Sequence, residues 1–232
     1  MNSTPCPNEP HTHDHDHMHA YDPNHQHPNR ADQDDSMTYY KAMESAVREL
    51  LIEKGLITAE QVHRQIEAMD ERSPANGARI VARAWVDPAF KQRLLESPKP
   101  AIAEIGHDIG PMNLIVLENT PEIHNVVVCT LCSCYPRWIL GIPPDWYKSR
   151  VYRSRVVREP RTVLREFGTE ISDNRQVRVH DSTADMRYMV LPMRPAGTDG
   201  FSEEALISLV GRDAMVGVVE AGVVGQGPLA PE

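Results

Sequence analysis

The sequence contains few aromatic residues, few cysteines and no long apolar run. Only 6% of its 232 residues are aromatic and only four are cysteines. No apolar stretch approaches the roughly 20 residues that a membrane-spanning helix needs, and the first residues are polar and rich in histidine where a secretory signal would be apolar. We therefore expect a cytoplasmic protein without a membrane anchor. In that compartment, clustered cysteines serve metal or redox chemistry more often than disulfide bonds.

The chain also lacks the excess of positive charge that a broad nucleic-acid surface requires. Its 24 lysines and arginines stand against 33 acidic residues, which gives a formal net charge of −9. Much of this charge lies in residues 1–35, which carry seven acids and one base. The rest of the chain has nearly equal numbers of acidic and basic residues. The overall charge therefore does not identify a partner, and nucleic acid is not the expected one.

The N-terminal third divides into two predicted segments. Residues 1–35 hold seven of the eleven histidines and little to bury, which predicts a disordered His-rich tail. An alternating His tract can hold divalent metals loosely, or it can be a simple solvated tail. Residues 36–75 have helical periodicity on both sides of a turn, with a capping-box spacing from Thr58 to Gln61. We expect a helical arm that ends at a break around 73–77.

Residues 76–220 predict an α+β domain, followed by a flexible C-terminal tail at 221–232. Helical patterns near residues 78–105 give way to short apolar runs rich in β-branched residues, which are typical of buried strands. These runs are 113–117, 126–128, 177–179 and 186–191. Helices are also predicted at 160–167 and from Ser202 to about Leu209.

Three of the four cysteines form a C-x-x-C-x-C cluster directly after the predicted strand 126–128. A structural zinc site or an iron–sulfur cluster normally uses four side-chain ligands, and no fourth has a matching spacing here. A thioredoxin-like motif would leave the third cysteine without a role. These alternatives are therefore less favoured than a site that also uses the backbone.

A backbone-assisted site can be built from Cys129, Cys132, Ser133 and Cys134. A thiolate and a deprotonated amide can chelate one ion, so one plane could hold two sulfurs and two amide nitrogens. Cys129 could supply an axial thiolate, which leaves a sixth position open, as a catalytic metal requires. Such strong donors favour a low-spin trivalent iron or cobalt ion over zinc.

The segment 128–136 (VCTLCSCYP) resembles the signature of nitrile hydratase alpha subunits and of the related gamma subunit of thiocyanate hydrolase. Further segments resemble the same family, so that the likeness covers about residues 38–218. They are AWVDP at 84–88, GIPPDWYK at 141–148, YRSRVV at 152–157, DST at 181–183 and RPAGTDG at 194–200.

The resemblance implies an extended helical arm followed by a layered α-β-β-α metal-binding domain. It also implies a beta-subunit partner in an αβ or (αβ)2 assembly, and a helper protein, a metallochaperone, for metal loading. The sulfur ligands would be Cys129, Cys132 and Cys134, with the amides of Cys132 and Ser133 completing the plane. In the family, the cysteines matching Cys132 and Cys134 are oxidised to sulfinic and sulfenic acid.

The resemblance further implies an activity, the hydration of a nitrile to its amide. Cys134 and Cys132 are the expected catalytic residues, because they would hold and supply the oxygen that attacks the nitrile carbon. Thr130 resembles the cobalt branch, so Co(3+), one per chain, is the expected ion and Fe(3+) the alternative.

The substrate pocket is where the sequence departs from the family pattern. Many nitrile hydratases have a tryptophan three residues after the last cysteine, whereas this chain has Arg137, followed by Trp138. An arginine here also resembles thiocyanate hydrolase and would favour an anion. Two alternatives therefore remain open: a thiocyanate hydrolase gamma subunit, and a non-catalytic metal-binding subunit or metallochaperone. The arginines between 150 and 161 are expected at an interface or on a solvated face.

Overall fold

The structure is a computed structural model that describes residues 37–222. The predicted His-rich tail and almost all of the predicted C-terminal tail lie outside these residues. Over the described part, the helices are α1 Tyr39–Glu53, α2 Ala59–Asp70, α3 Pro74–Val86, α4 Pro88–Glu96, α5 Pro98–Glu104, α6 Arg137–Leu140, α7 Asp145–Lys148, α8 Arg150–Arg155, α9 Pro160–Glu166, α10 Glu203–Ile207 and α11 Arg212–Val216. The strands are β1 Asn113–Glu118, β2 Ile123–Val128, β3 Gln176–Asp181 and β4 Met186–Leu191.

Helices α1 and α2 are the two helices predicted for the arm. The predicted capping box is present: the Gln61 N–H donates to Thr58 Oγ1, and the Thr58 N–H donates to Gln61 Oε1. Helix α1 contains no buried residue. The two helices and the turn between them expose large apolar side chains, which we call the arm face: Met43, Val47, Leu50, Leu56 and Ile66. The extent of the arm as a separate unit stays a prediction.

Helix α3 begins earlier than the sequence predicted. The expected break at 73–77 is wrong from Pro74 onward, because proline fits the first turn of a helix, where its missing N–H has no partner to lose. Gly77 lies within this helix and is buried. A Cβ at this position would lie only 2.6 Å from side-chain atoms of Leu140 and of Met215. The glycine that looked like a helix breaker instead allows α3 to pack closely on α6 and α11.

The four strands form two small parallel pairs. Strand β1 pairs with β4 from Asn113↔Met186 to Glu118↔Leu191, and β2 pairs with β3 from Ile123↔Gln176 to Val128↔Asp181. Parallel partners need long crossover connections. Here, α6 to α9 lie in the crossover between β2 and β3, so each pair joins distant parts of the chain. The register of the β2–β3 pair therefore decides which residue lies beside the cysteine loop.

One continuous core joins the strands to the surrounding helices. It contains Ile80 of α3, Val126 of β2, Val190 of β4 and Met215 of α11, all with at most 2% exposure of their surface. Apolar burial of this kind is the main stabilising contribution to such a domain. The predicted α+β class is confirmed. Among residues 37–222, no helix is both long and apolar enough to cross a bilayer.

Candidate metal centre

The cysteine loop leaves the C-terminal end of β2 and brings three sulfur atoms together. Cys129, the first residue after the strand, is completely buried. Its Sγ lies 3.4 Å from Cys132 Sγ, which lies 3.1 Å from Cys134 Sγ. All three sulfur atoms lie within 4.8 Å of one another. The C-x-x-C-x-C spacing therefore brings the three sulfurs together as predicted, and no disulfide bond joins these cysteines.

The sulfur cluster is closed on the protein side and open on the other. Cys132 is exposed and Cys134 is half-buried, whereas the Leu131 side chain between the ligands is 86% exposed. Cys129 thus forms the floor of the cluster, and Cys132 and Cys134 form its accessible rim. A small molecule or a partner chain can approach the rim directly.

The thiols influence one another strongly. Burial raises the pKa of the Cys134 thiol to about 12, with the hydrogen bond to Cys132 acting in the same direction and the positive charge of Arg187 opposing it. The pKa of Cys132 is lowered, first by the side chains of Cys134 and Cys129 and then by the backbone N–H groups of Cys134 and Ser133. Cys132 on the exposed rim is therefore the more acidic of these two thiols.

Backbone N–H groups also point into the cluster. The Cys132 N–H donates to Cys129 Sγ at 3.3 Å. The N–H groups of Ser133 and Cys134 are close enough to Cys132 to lower its pKa. The loop thus brings three sulfurs and backbone amides close together, but the Cys132 amide, one of the two nitrogens predicted for a metal, is directed at Cys129 Sγ.

A carboxylate braces the first turn of the loop. Asp181 accepts from the Thr130 N–H at 2.9 Å and from Thr130 Oγ1 at 2.5 Å. The parallel register explains this contact, because Asp181 is the partner of Val128, the residue before Cys129. In the sequence, Asp181 stands out only as part of the family-like stretch 181–183, since the 51 residues between it and Thr130 leave no local signal.

Donors from two short helices hold the other side of the loop. Arg153 Nη1 of α8 donates to the carbonyls of Thr130 at 3.3 Å and Cys132 at 3.2 Å. Tyr147 Oη of α7 donates to the carbonyl of Cys134 at 2.8 Å. Arg153, one of the arginines expected at an interface or on a solvated face, is half-buried, and its guanidinium contacts the cysteine loop.

The comparisons with known proteins agree with this geometry. A family model described as "Nitrile hydratase, alpha chain" matches residues 38–219. The chain belongs to the nitrile hydratase alpha-chain family. It is 52% identical to the low-molecular weight cobalt-containing nitrile hydratase subunit alpha of Rhodococcus rhodochrous, over 77% of this chain and 85% of the relative. It is 50% identical to the cobalt-containing subunit alpha of Pseudonocardia thermophila, over 79% of this chain and 90% of the relative.

A solved structure of the wider family has the same fold. A recombinant thiocyanate hydrolase comprising partially modified cobalt centres is 42% identical, with a TM-score of 0.74, over 84% of this chain and 93% of that chain. The predicted membership of the nitrile hydratase alpha-chain family is thereby confirmed. The kinship with thiocyanate hydrolase, which the sequence also indicated, is confirmed with it.

The two predicted pocket residues of this family member occupy different environments in α6. Arg137 is exposed, whereas Trp138 is half-buried. The Arg72 guanidinium lies 4.4 Å from the Trp138 ring centroid, a cation–π contact. A Cβ at Gly110 would lie 2.4 Å from the same indole, so this glycine permits its close packing. Trp138 is thus held between Arg72 and Gly110, and a role in substrate binding stays a prediction for both residues.

The brace gives a first prediction: Asp181→Asn lowers both the cobalt content and the turnover of the enzyme about 10- to 100-fold. The amide keeps one acceptor but loses the charge that strengthens both bonds to Thr130. Cobalt per chain would be measured by mass spectrometry after purification, together with the initial rate. Asp185→Asn, at an exposed acid in the next turn, is the matched control. Normal cobalt content in Asp181→Asn would contradict a bracing role.

Proposed function

We propose that the chain is the catalytic alpha subunit of a cobalt nitrile hydratase, a lyase that adds water to a nitrile and forms the amide. The observation that supports this most directly is the cluster of three sulfurs and inward-facing amides at the end of β2. The names of the cobalt-containing relatives support the same activity. A metal bound there would act as a Lewis acid toward the nitrile.

The chain's own donors fit a trivalent cobalt ion, Co(3+), with Fe(3+) as the alternative. Cys129, Cys132 and Cys134 would supply the three sulfurs. The amide of Ser133 would supply one nitrogen, as the sequence predicted. For the second nitrogen we favour Cys134 over Cys132, because the Cys132 N–H is directed at Cys129 Sγ. The amide and thiolate of Cys134 would then close a five-membered chelate ring.

The catalytic roles follow from the position of each sulfur. Cys129 is buried, so it would act as a metal ligand that influences the reactivity of the metal without contacting the substrate. Cys132 and Cys134 lie on the accessible rim, where oxidation to sulfinic and sulfenic acid would turn them into hydrogen-bond acceptors. Cys134 would then orient a water molecule toward the nitrile carbon or supply the attacking oxygen. Both protons of the attacking water would end on the nitrile nitrogen as the amide forms. If the Cys134 oxygen attacks instead, a water molecule would replace that oxygen and supply the two protons.

A beta subunit is the expected partner, in an αβ or (αβ)2 assembly. Two surfaces support this: the exposed rim around Leu131, and the arm face of α1 and α2, which is unusually apolar for a solvated helix pair. Arginines of the partner would reach the oxidised sulfurs. We further propose a cytoplasmic location and metal loading by a metallochaperone.

Thiocyanate is the alternative substrate. The exposed guanidinium of Arg137, two residues beyond the buried Tyr135, could meet an anion at the edge of the cluster. The thiocyanate hydrolase that shares this fold supports the same reading. The higher identity to the cobalt-containing nitrile hydratase subunits, 52% and 50% against 42% for the thiocyanate hydrolase, is why hydration of nitriles is the proposed activity.

Turnover of the two substrates by one preparation distinguishes these functions. The chain would be co-produced with its beta subunit in cobalt-supplemented medium and given acrylonitrile or thiocyanate separately. We expect rapid amide formation, little loss of thiocyanate, and nearly unchanged nitrile turnover in Arg137→Gln. Preferential breakdown of thiocyanate, abolished by Arg137→Gln, would make the protein a thiocyanate hydrolase subunit. Reversible cobalt binding without turnover of either would support a metallochaperone or another non-catalytic subunit.

A further inference from the structure

Arg153 holds the cysteine loop from outside the sulfur cluster. It lies in α8, and its Nε donates to the Ser149 carbonyl at 3.4 Å, one turn earlier in the same helix. Its Nη1 donates to the carbonyls of Thr130 and Cys132 at 3.3 and 3.2 Å. One guanidinium therefore joins the start of α8 to two alternate peptide units of the loop.

The planarity of the peptide bond extends this contact into the cluster. In a trans peptide the C=O and the following N–H lie in one plane and point in opposite directions. Because the Cys132 carbonyl accepts from Arg153, the Ser133 N–H must point the opposite way, away from Arg153.

We propose that Arg153 is a positioning residue that turns the Ser133 nitrogen toward the metal through the Cys132 carbonyl. Its hydrogen bonds to the loop go to two backbone carbonyls, so it would act on the centre through the backbone. The inference rests on the proposed metal site, but it does not depend on which substrate that site converts.

The shape of the guanidinium is essential to this role. Its planar fork donates to Ser149 and to the loop in fixed directions, whereas a lysine ammonium is a point charge on a flexible stem. The Tyr147 hydroxyl holds the next alternate carbonyl, that of Cys134, independently. Loss of Arg153 should therefore misplace the Ser133 nitrogen without releasing the whole loop.

The test compares Arg153→Met, Arg153→Lys and Arg150→Met in the complex with the beta subunit. Arg150 is an exposed arginine at the start of the same helix, so it controls for the loss of one positive charge. Two readouts that do not require activity are used: cobalt per chain after dialysis against a chelator, and the cobalt–nitrogen contribution in X-ray absorption spectra. The midpoint of thermal unfolding reports on the fold.

In Arg153→Met we expect cobalt retention to fall at least about tenfold, with a reduced nitrogen contribution in the cobalt that remains. Arg153→Lys should lie between this variant and the wild type, and Arg150→Met should match the wild type. Cobalt retention and a nitrogen contribution equal to wild type in both Arg153 variants would overturn the proposal. If Arg153→Met does not accumulate, Arg153→Lys carries the same test. Because cobalt is measured directly, failure of nitrile turnover in the wild type would count against the proposed function alone.

Discussion

Cys134→Ser is expected to abolish nitrile turnover while the protein keeps its fold. Cys134 is half-buried at the rim, and its Sγ lies within hydrogen-bonding distance of Cys132 Sγ. Its backbone carbonyl, which accepts from Tyr147 Oη, is unchanged by the substitution. The hydroxyl is a poorer donor for a trivalent ion and cannot be oxidised to a sulfenic acid. Turnover should fall by more than about 100-fold, beyond what changes around a metal centre usually cause.

The measurement combines initial rates, cobalt per chain and the thermal unfolding midpoint. Cys6→Ser, the same chemical change in the segment that precedes the described residues, is the matched control. We expect the control to match the wild type in all three. A Cys134→Ser enzyme that binds cobalt and turns over normally would rule out the roles proposed for this sulfur. A thermal unfolding midpoint of Cys134→Ser that is many degrees below that of the wild type would instead show that Cys134 has a structural role.

The cysteine cluster could be predicted from sequence because its geometry is local. Three sulfurs within six residues can meet only if the loop curls, and the strand before them was visible as the apolar run 126–128. Strand β4 was predicted with its observed bounds, 186–191, and the Ser202 cap of α10 is confirmed by its bond from the Ala205 N–H. These features depend on residues close to one another in the chain.

The support of the cluster could not be predicted in the same way. Asp181 and Arg153 lie 51 and 23 residues from Thr130, and only the parallel register and the position of α8 bring them together. The start of β2 was also missed, because its first residues include the polar His124 and Asn125. Both are buried with hydrogen bonds, a condition that no local pattern reveals.

Gly217→Ala is expected to destabilise the protein by about 2–5 kcal/mol. Gly217 ends α11 at a φ of 87°, in the left-handed region that favours glycine. A Cβ there would lie 2.0 Å from the carbonyl oxygen of Asn125 in β2, so the strand or the helix end would have to move. Gly168→Ala is the matched control, because its φ is 82° but its Cβ would have no neighbour within 4 Å.

The shift should reach the metal centre through β2. The Gly217 carbonyl lies 2.8 Å from His124 Nε2, and burial lowers the pKa of His124, which keeps its ring neutral at that contact. Moving Gly217 would disturb both His124 and Asn125, three to four residues before the end of the strand that delivers Cys129. We therefore expect Gly217→Ala to lower both the cobalt content and the unfolding midpoint. Gly168→Ala should lower only the midpoint, because it reduces the free energy of unfolding by about 1 kcal/mol. Equal midpoints in the two variants would show that α11 and β2 are not in the close contact that fixes the loop.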